Sequence, residues 1–317
     1  MSGRILRAQR ANVAGRDESG QAAVLSVVWL LVLLGFAGFV IDVGSWYRAQ
    51  RNLQSRADAS ALAGAQDLPQ SVATAGSEAQ QFATKNGFTL PAGNITFSGT
   101  TVPDDSISVK VDSTAPTFFS RIFGINSVAV RATAMAKSDL MGSARYVAPI
   151  TVSINHPLLT GVSAGVNCPC FNQPTTLPLD KRGAPGAFGL LDLDNGTGNG
   201  SSTLADWIAN GFDGLLDLGD YLSNTGAKFD SANVQGALDA RIGTVLLFPV
   251  YDTLTGVGTN AKYHIVAWVG FKLTGYNLSG NNGTLSGYFT DITWQGIPAA
   301  ANSGQPNLGA RVISLIQ

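Results

Sequence analysis

Three polar residues occur in the order of a serine hydrolase triad. Residues 161–165 read Gly-Val-Ser-Ala-Gly and fit G-x-S-x-G with Ser163 as nucleophile, and Asp252 and His264 follow. That motif needs a strand before the serine and a helix after it. Pro157 upstream and Cys168-Pro169-Cys170 downstream disfavour such a turn. Because the chain has 37 glycines, the match arises easily by chance, and the sequence favours a glycine turn.

Residues with metal-binding chemistry are sparse. The two histidines, His156 and His264, lack a second histidine at zinc-site spacing. Residues 192–196 (Asp-Leu-Asp-Asn-Gly) resemble the start of a calcium loop, but its twelfth position is Thr203, where a bidentate glutamate is needed. A solvated turn is favoured there. We therefore predict no catalytic residue, no metal and no cofactor, and we identify no small-molecule substrate.

The only two cysteines, Cys168 and Cys170, are separated by one proline. Two cysteines in an exported domain normally form a disulfide. A ring across a single residue would be strained and easy to reduce. The sequence favours a strained local disulfide. Free thiols and a redox or intermolecular role remain as alternatives.

The polar residues described above belong to a chain whose N-terminal part contains a long apolar run. Residues 22–41 form an uncharged apolar run of twenty residues. As a helix it spans roughly 30 Å, the thickness of a bilayer's hydrocarbon core. A buried core helix seldom runs this long without a polar face, and the apolar region of a cleaved signal peptide is about 7–15 residues long. We interpret the run as a permanent transmembrane helix.

The helix is expected to continue beyond the membrane. No proline follows until Pro69, so one helix from about Ala22 to Ala65 would be roughly 65 Å long. Trp46 and Tyr47 lie where an interfacial aromatic belt belongs. Small residues at helical spacing would let another helix approach closely. These candidate helix-packing residues are Gly35, Gly38, Ala57, Ala61, Gly64 and Ala65. Packing against the protein's own domain and simple helix propensity are the alternatives.

Charge gives a weak indication of orientation. Four arginines precede the anchor and three follow it closely, so the positive-inside count is nearly tied and slightly favours a cytoplasmic N-terminus. The net charge of −1 and the lack of a long basic run argue against nucleic acid as a partner. Charged residues make up 13 %, against a typical ~25 %, which suits an exported domain of strands and turns.

The rest of the chain is predicted to be α+β and then β-rich. A helix over 71–85, strands near 106–112 and 128–137, and a helical turn over 116–124 form a small α+β unit. Beyond residue 138, two helices (203–210 and 232–242) interrupt predicted strands. Those strands cover 146–154, 244–250, 263–273, 285–294 and 311–316. The fold class is thus a membrane-anchored α+β protein with one long N-terminal transmembrane helix.

A set of short motifs marks residues 19–65. Gly20-Gln21-Ala22 opens the anchor, Asp42-Val43-Gly44 closes it, Tyr47-Arg48 lies beyond it, and an Ala-rich stretch runs from Leu53 to Ala65. In these motifs the segment resembles the N-terminal module of the TadE/TadG-like pilus-assembly proteins. It implies a component of the bacterial machinery for Tad (tight adherence, Flp) pili, with a cytoplasmic N-terminus and an exported C-terminal part.

We therefore expect four regions: a cytoplasmic tail (1–19), the transmembrane and projecting helix (20–66), a small α+β unit (67–137) and a β-rich extracytoplasmic domain (138–317). The expected function is a structural, non-enzymatic, single-pass component of pilus assembly in the bacterial inner membrane, with a minor pilin-like subunit as one form. Its partners would be the lipid bilayer and, by helix packing, other pilus-assembly proteins or pilin subunits. The alternative is a membrane-anchored adhesion or binding module with a periplasmic or extracellular domain.

Overall fold

The computed structural model describes most of the chain and divides it into two compact units. The first holds the described residues up to Ser55 together with Val111–Ala132, and the second holds Arg56–Lys110 and the described residues from Thr133 onward. The described ranges are 19–163, 165–179, 189–194, 200–224, 230–257, 260–279, 282–300 and 303–316. The predicted boundaries after residues 66 and 137 stay predictions.

A single helix, α1, runs unbroken over Ser19–Ala65 and confirms the predicted long N-terminal helix. Its most apolar 18-residue window has a mean hydropathy of 2.7 and is only 6 % buried within the chain. A soluble core helix of this length would bury its apolar side chains. The helix is therefore long and apolar enough to cross a membrane, and the protein is of the membrane-anchored α+β class.

The first unit combines the part of α1 up to Ser55, here called the anchor half, with the end of a long hairpin. Strand β2 covers Ser106–Pro116 and strand β3 covers Ser127–Ala144. Residues 117–126 join them and are here called the hairpin loop. The loop contains a short 3-10 helix, Ser120–Phe123, close to the helical turn predicted for 116–124.

In the second unit, helix α2 covers Val72–Lys85, close to the predicted 71–85. Ser71 caps its N-terminus, because the Ser71 hydroxyl accepts a hydrogen bond from the Thr74 amide at 3.1 Å. Strand β1, Ile95–Ser98, pairs antiparallel with the start of β2.

Two larger sheets organise the remaining strands. These strands are β4 Val152–Ser153, β5 Val162–Ser163, β6 Val166–Asn167, β7 Pro174–Pro178, β8 Leu216–Asp217, β9 Gly219–Leu222, β10 Val245–Thr255, β11 Lys262–Ser279, β12 Asn282–Thr290, β13 Ile292–Thr293, β14 Gly296–Pro298 and β15 Ala310–Ile316. One sheet has the order β1-β2-β3-β15-β13, with β8 and β14 also paired to β3. The other has the order β4-β10-β11-β12-β7, with β9 paired to β11, and β5 and β6 form a separate two-stranded pair.

Three helices accompany the second sheet: α3 (Pro157–Thr160), α4 (Ser201–Asn210) and α5 (Ala232–Arg241). One core joins α4 and α5 to one side of this sheet, and a second core lies on its other side. Both faces are thus buried, which explains the near-continuous apolar sequence of β10. The strand predicted over 146–154 is largely irregular, because only Val152–Ser153 lies in a strand and Val147 and Ile150 form isolated bridges.

A bulge divides the longest central strand between the two cores. The alternation in β11 predicts one face for Tyr263, Ile265, Ala267, Val269, Phe271 and Leu273. In the structure, Tyr263 and Ile265 belong to one core and the other four to the opposite core. Val250 and Tyr251 of β10 pair with Ala267 and Ile265, so Val266 is the extra residue. One unpaired residue reverses which side chains face each core.

Candidate functional site

The anchor half of α1 presents its apolar side chains to the outside of the chain. Trp29, Phe36 and Val40 are each about two thirds exposed, at 65 %, 66 % and 67 %. Tyr47 is also exposed, and the Arg51 guanidinium lies 5.8 Å from its ring centroid. An uncovered apolar helix that ends in aromatic and cationic residues has the arrangement found where helices leave a bilayer.

Asp42, directly after the apolar run, is fully buried under the hairpin loop. Its carboxylate accepts hydrogen bonds from three consecutive backbone amides: Phe118 at 2.7 Å, Phe119 at 3.1 Å and Ser120 at 2.6 Å. The Ser120 hydroxyl donates a further one at 2.6 Å. A carboxylate suits this position, because free amides at the start of a short helix favour a negative charge. Asp42 therefore ties the loop to the helix.

Gly38 makes the second contact between helix and loop. A Cβ built at Gly38 would lie 2.5 Å from Cγ of Phe119, so the phenyl ring rests directly on the glycine backbone. Gly35, one turn earlier, has no atom within 4 Å of such a Cβ. Of the two candidate packing glycines within the apolar run, Gly38 is thus covered by the chain itself and Gly35 is open.

The other candidate packing residues are buried inside the second unit. Ala57, Ala61 and Ala65 have no exposed surface. A Cβ at Gly64 would lie 2.6 Å from Ile107 and 3.2 Å from Ala79, so β2 and α2 cover this side of the helix. At these four positions the structure shows packing within the chain, which is the alternative kept open by the sequence.

The cysteines Cys168 and Cys170 form a disulfide in the structure, with an S–S distance of 2.02 Å. Their backbone amides donate to the carbonyl oxygens of Gly161 and Leu158, both at 2.9 Å. The bridge therefore belongs to the turn that follows α3.

The hydrolase pattern does not acquire hydrolase geometry. Ser163 lies on the two-residue strand β5, which pairs with β6 of the same turn, so no helix follows the serine. Its hydroxyl donates to the side-chain oxygen of Gln173 at 3.0 Å. His264 of β11 contacts Asp220 of the neighbouring strand β9 at 2.7 Å, and both side chains are about half exposed. A nucleophile elbow is therefore missing at Ser163.

An open cavity of about 370 Å³ lies beside His264 in the second unit. Asp252, Ile265 and the segment Ser303–Pro306 also line it. Within the described residues, no group of three or more His, Cys, Asp or Glu side chains is placed to hold a metal ion. The calcium-like segment 192–196 lies only partly within the described residues; there, the Asp194 amide donates to the Asp192 carboxylate at 3.4 Å, as in an Asx turn.

The sequence places Asp42 directly after the apolar run, but it does not show that Asp42 accepts hydrogen bonds from the loop. The available signal was a carboxylate directly after the apolar run together with an apolar loop that carries one charge, Phe-Phe-Ser-Arg-Ile-Phe-Gly-Ile over 118–125. Sequence separation hides the pairing, because Asp42 and Phe118 are 76 positions apart in the chain.

Comparison with known families matches residues 20–67 to the Tad model, described as Flp pilus-assembly TadE/G-like. The matched segment coincides with α1, and it confirms the family resemblance that the sequence carries. The match supports a role in pilus assembly. No curated protein and no solved structure matched this chain.

Proposed function

We propose, from the Tad-family match of residues 20–67, that this protein is a structural, non-enzymatic, single-pass component of Tad/Flp pilus assembly. The observation that carries the proposal is the coincidence of the matched segment with a helix whose apolar half is uncovered by its own chain. A minor pilin-like subunit is one form of this role.

In this mechanism, α1 anchors the protein in the membrane and the β-rich domain is presented to other pilus proteins. Residues 22–41 span the inner membrane with the N-terminus in the cytoplasm, and the β-rich domain lies in the periplasm or outside the cell. Helix packing with other pilus proteins then takes place within the lipid. Gly35 is the small residue open for such packing, whereas Ala57, Ala61 and Ala65 are covered by the chain.

Topology can be tested with introduced cysteines. In intact cells, or in spheroplasts where an outer membrane is present, a cysteine at Ser2 should stay protected from an impermeant thiol reagent. A cysteine at the exposed Val257 should react. Both native cysteines are in a disulfide and give little background. The reverse labelling pattern would contradict the proposed orientation.

Function can be tested by deleting the protein and counting filaments in the sheared surface fraction. Loss of pili, restored by the full chain, is the expected result. Copurification of the chain with sheared filaments would support the minor pilin-like form, and retention in the membrane would support an assembly component. Piliation equal to that of the parent strain would contradict the proposal.

A second candidate, a membrane-anchored adhesion or binding module, is supported by the cavity beside His264. Its volume is within the range of small-molecule sites. On this alternative, deletion leaves pili intact but abolishes surface attachment. Substitution of Gly304 by Trp at the cavity wall would then reproduce the attachment defect without loss of filaments.

A further inference from the structure

The hairpin loop carries an exposed apolar surface beside the membrane anchor. Phe118, Ile122 and Phe123 are 61 %, 79 % and 84 % exposed, and Ile125 is 48 % exposed. Such side chains in a short loop are unusual for a surface that meets water and mark an interaction site. The loop has one charged residue, Arg121, which is also exposed.

The contact with Gly38 fixes the depth of this surface. Gly38 lies three residues before the end of the apolar run at Ile41, which is about 4.5 Å along the helix axis. Phe119 rests on that glycine, so the loop overlaps the apolar run instead of ending above it. If α1 spans the bilayer, the apolar side chains next to Phe119 reach the level of the acyl chains.

Most of the backbone N–H groups of the loop donate hydrogen bonds within the protein, so the loop does not need water to satisfy them. Seven consecutive or near-consecutive N–H groups have acceptors, at residues 117–120, 122, 124 and 125. Asp42 supplies the acceptor for three of them, and carbonyl oxygens of the loop itself supply the others. Irregular backbone is tolerated near lipid only when its polar groups are satisfied within the protein.

We propose that the hairpin loop inserts into the lipid leaflet beside α1 and gives the protein a second membrane contact. This rests on the anchoring stated in the proposed function. Phe118, Ile122, Phe123 and Ile125 meet the acyl chains, and Arg121 reaches the phosphate groups at the surface. Lipid is the occupant because the loop lies on Gly38 and Asp42 of α1, and the residues next to them in the helix, Phe39 and Val43, are apolar and exposed.

The test uses the full chain, purified and reconstituted into vesicles of phosphatidylcholine and phosphatidylglycerol. A nitroxide is attached at Phe123→Cys, and its collision rates with oxygen, which partitions into lipid, and with a water-soluble nickel chelate are measured. Val257→Cys serves as the aqueous control and Val32→Cys as the control inside the apolar run. The native disulfide leaves no competing thiol when reductant is omitted.

We expect the ratio of oxygen to nickel collision rates at residue 123 to be several-fold higher than at residue 257. It should be closer to the ratio at residue 32, the control in lipid, than to the ratio at residue 257, the control in water. A ratio at 123 equal to that at 257, with 32 in lipid, would overturn the loop insertion alone. Low collision rates with both reagents at 123 would indicate protein contact, as with a second copy, and would also overturn it. An aqueous ratio at 32 would refute the anchoring itself.

Discussion

The two halves of α1 use the same local devices in opposite surroundings. In the anchor half, Gly38 lies under Phe119 and the buried Asp42 accepts three consecutive backbone amides. In the half that belongs to the second unit, Gly64 lies under Ile107 of β2, and the buried Asp105, directly before β2, accepts hydrogen bonds from the three consecutive amides of residues 100–102.

The two units differ in how much of their apolar surface is covered by the rest of the chain. The second unit buries its small residues completely and surrounds them with α2 and β2. The first unit leaves large apolar side chains exposed on helix and loop. A glycine contact and a capped carboxylate can therefore fix a segment in either unit, and the exposure of the neighbouring side chains separates the surface suited to lipid from the core suited to water.

The largest effect is expected from Gly64→Leu. Because a Cβ at this position would already lie 2.6 Å from Ile107 Cδ1 and 2.8 Å from the Ala75 carbonyl oxygen, a leucine must push α2 or β2 away. We expect a loss of about 3 kcal/mol in the free energy of unfolding, the upper end of overpacking costs. Chemical denaturation in detergent, followed by tryptophan fluorescence, measures it.

The matched control is Gly35→Leu in the anchor half, where nothing lies within 4 Å of the added carbon. It should unfold like the wild type. Equal damage from both substitutions would mean that Gly35 is covered after all and that the two halves are alike.

A smaller effect, dependent on pH, is expected from Asp105→Asn. Burial raises the pKa of the Asp105 carboxyl, but hydrogen bonds from the amides of residues 100–102 and from the Ser106 hydroxyl outweigh it and lower the pKa from 3.8 to about 2. Since the folded pKa lies below the unfolded value, the ionised carboxylate stabilises the fold above pH 3.8, and this stabilisation is lost as the pH falls toward 2.

At pH 7 the asparagine variant should therefore be less stable by about 2 kcal/mol. The difference from wild type should shrink between pH 4 and pH 2.5. Denaturation midpoints at a series of pH values check this, and a difference that stays constant over that range would contradict it.

The third effect is local. Asp42→Asn removes the charge that accepts the amides of Phe118, Phe119 and Ser120. Because hydrogen bonds to a charged acceptor contribute about 1.5 kcal/mol or more, we expect hydrogen exchange at these amides to rise about tenfold. Exchange mass spectrometry of peptides covering 117–126 reports it. The denaturation midpoint of the second unit should not change, and a shift there would refute the local effect.

Much of the fold follows from the sequence, since its strongest signals are local. The uncharged run at 22–41 and the absence of proline up to Pro69 predict α1, and Ser71 with Asn86-Gly87 brackets α2. The family match confirms the resemblance in the same segment. These features depend on residues within one element, where periodicity and capping act.

The parts that sequence could not supply depend on distant partners. The bulge at Val266 shows only in the pairing of β10 with β11, and it divides an apparently regular alternation between two cores. Likewise, the three glycines among the small residues of α1 look alike in sequence, but Gly38 lies under Phe119, Gly64 lies under Ile107 and α2, and Gly35 is open. Spacing identifies a small residue, whereas only the tertiary structure identifies what lies on it.

The smallest effect is expected from Asp112→Asn. Asp112 on β2 forms an ion pair with Arg131 on β3, in the hairpin that carries the loop, and the two side chains are 48 % and 66 % exposed. Exposed pairs of this kind contribute about 0.2–1 kcal/mol, because water screens them and both side chains lose freedom. We expect the exchange rates at residues 118–120 to stay within about twofold of wild type.

This substitution is matched to Asp42→Asn, since both replace a carboxylate with an amide in the first unit. If both substitutions raise the exchange rates to the same extent, then the pairing of β2 with β3 holds the loop in place, and its contact with α1 is not what holds it. If only Asp42→Asn opens it, the helix sets the position of the loop, as its packing on Gly38 requires.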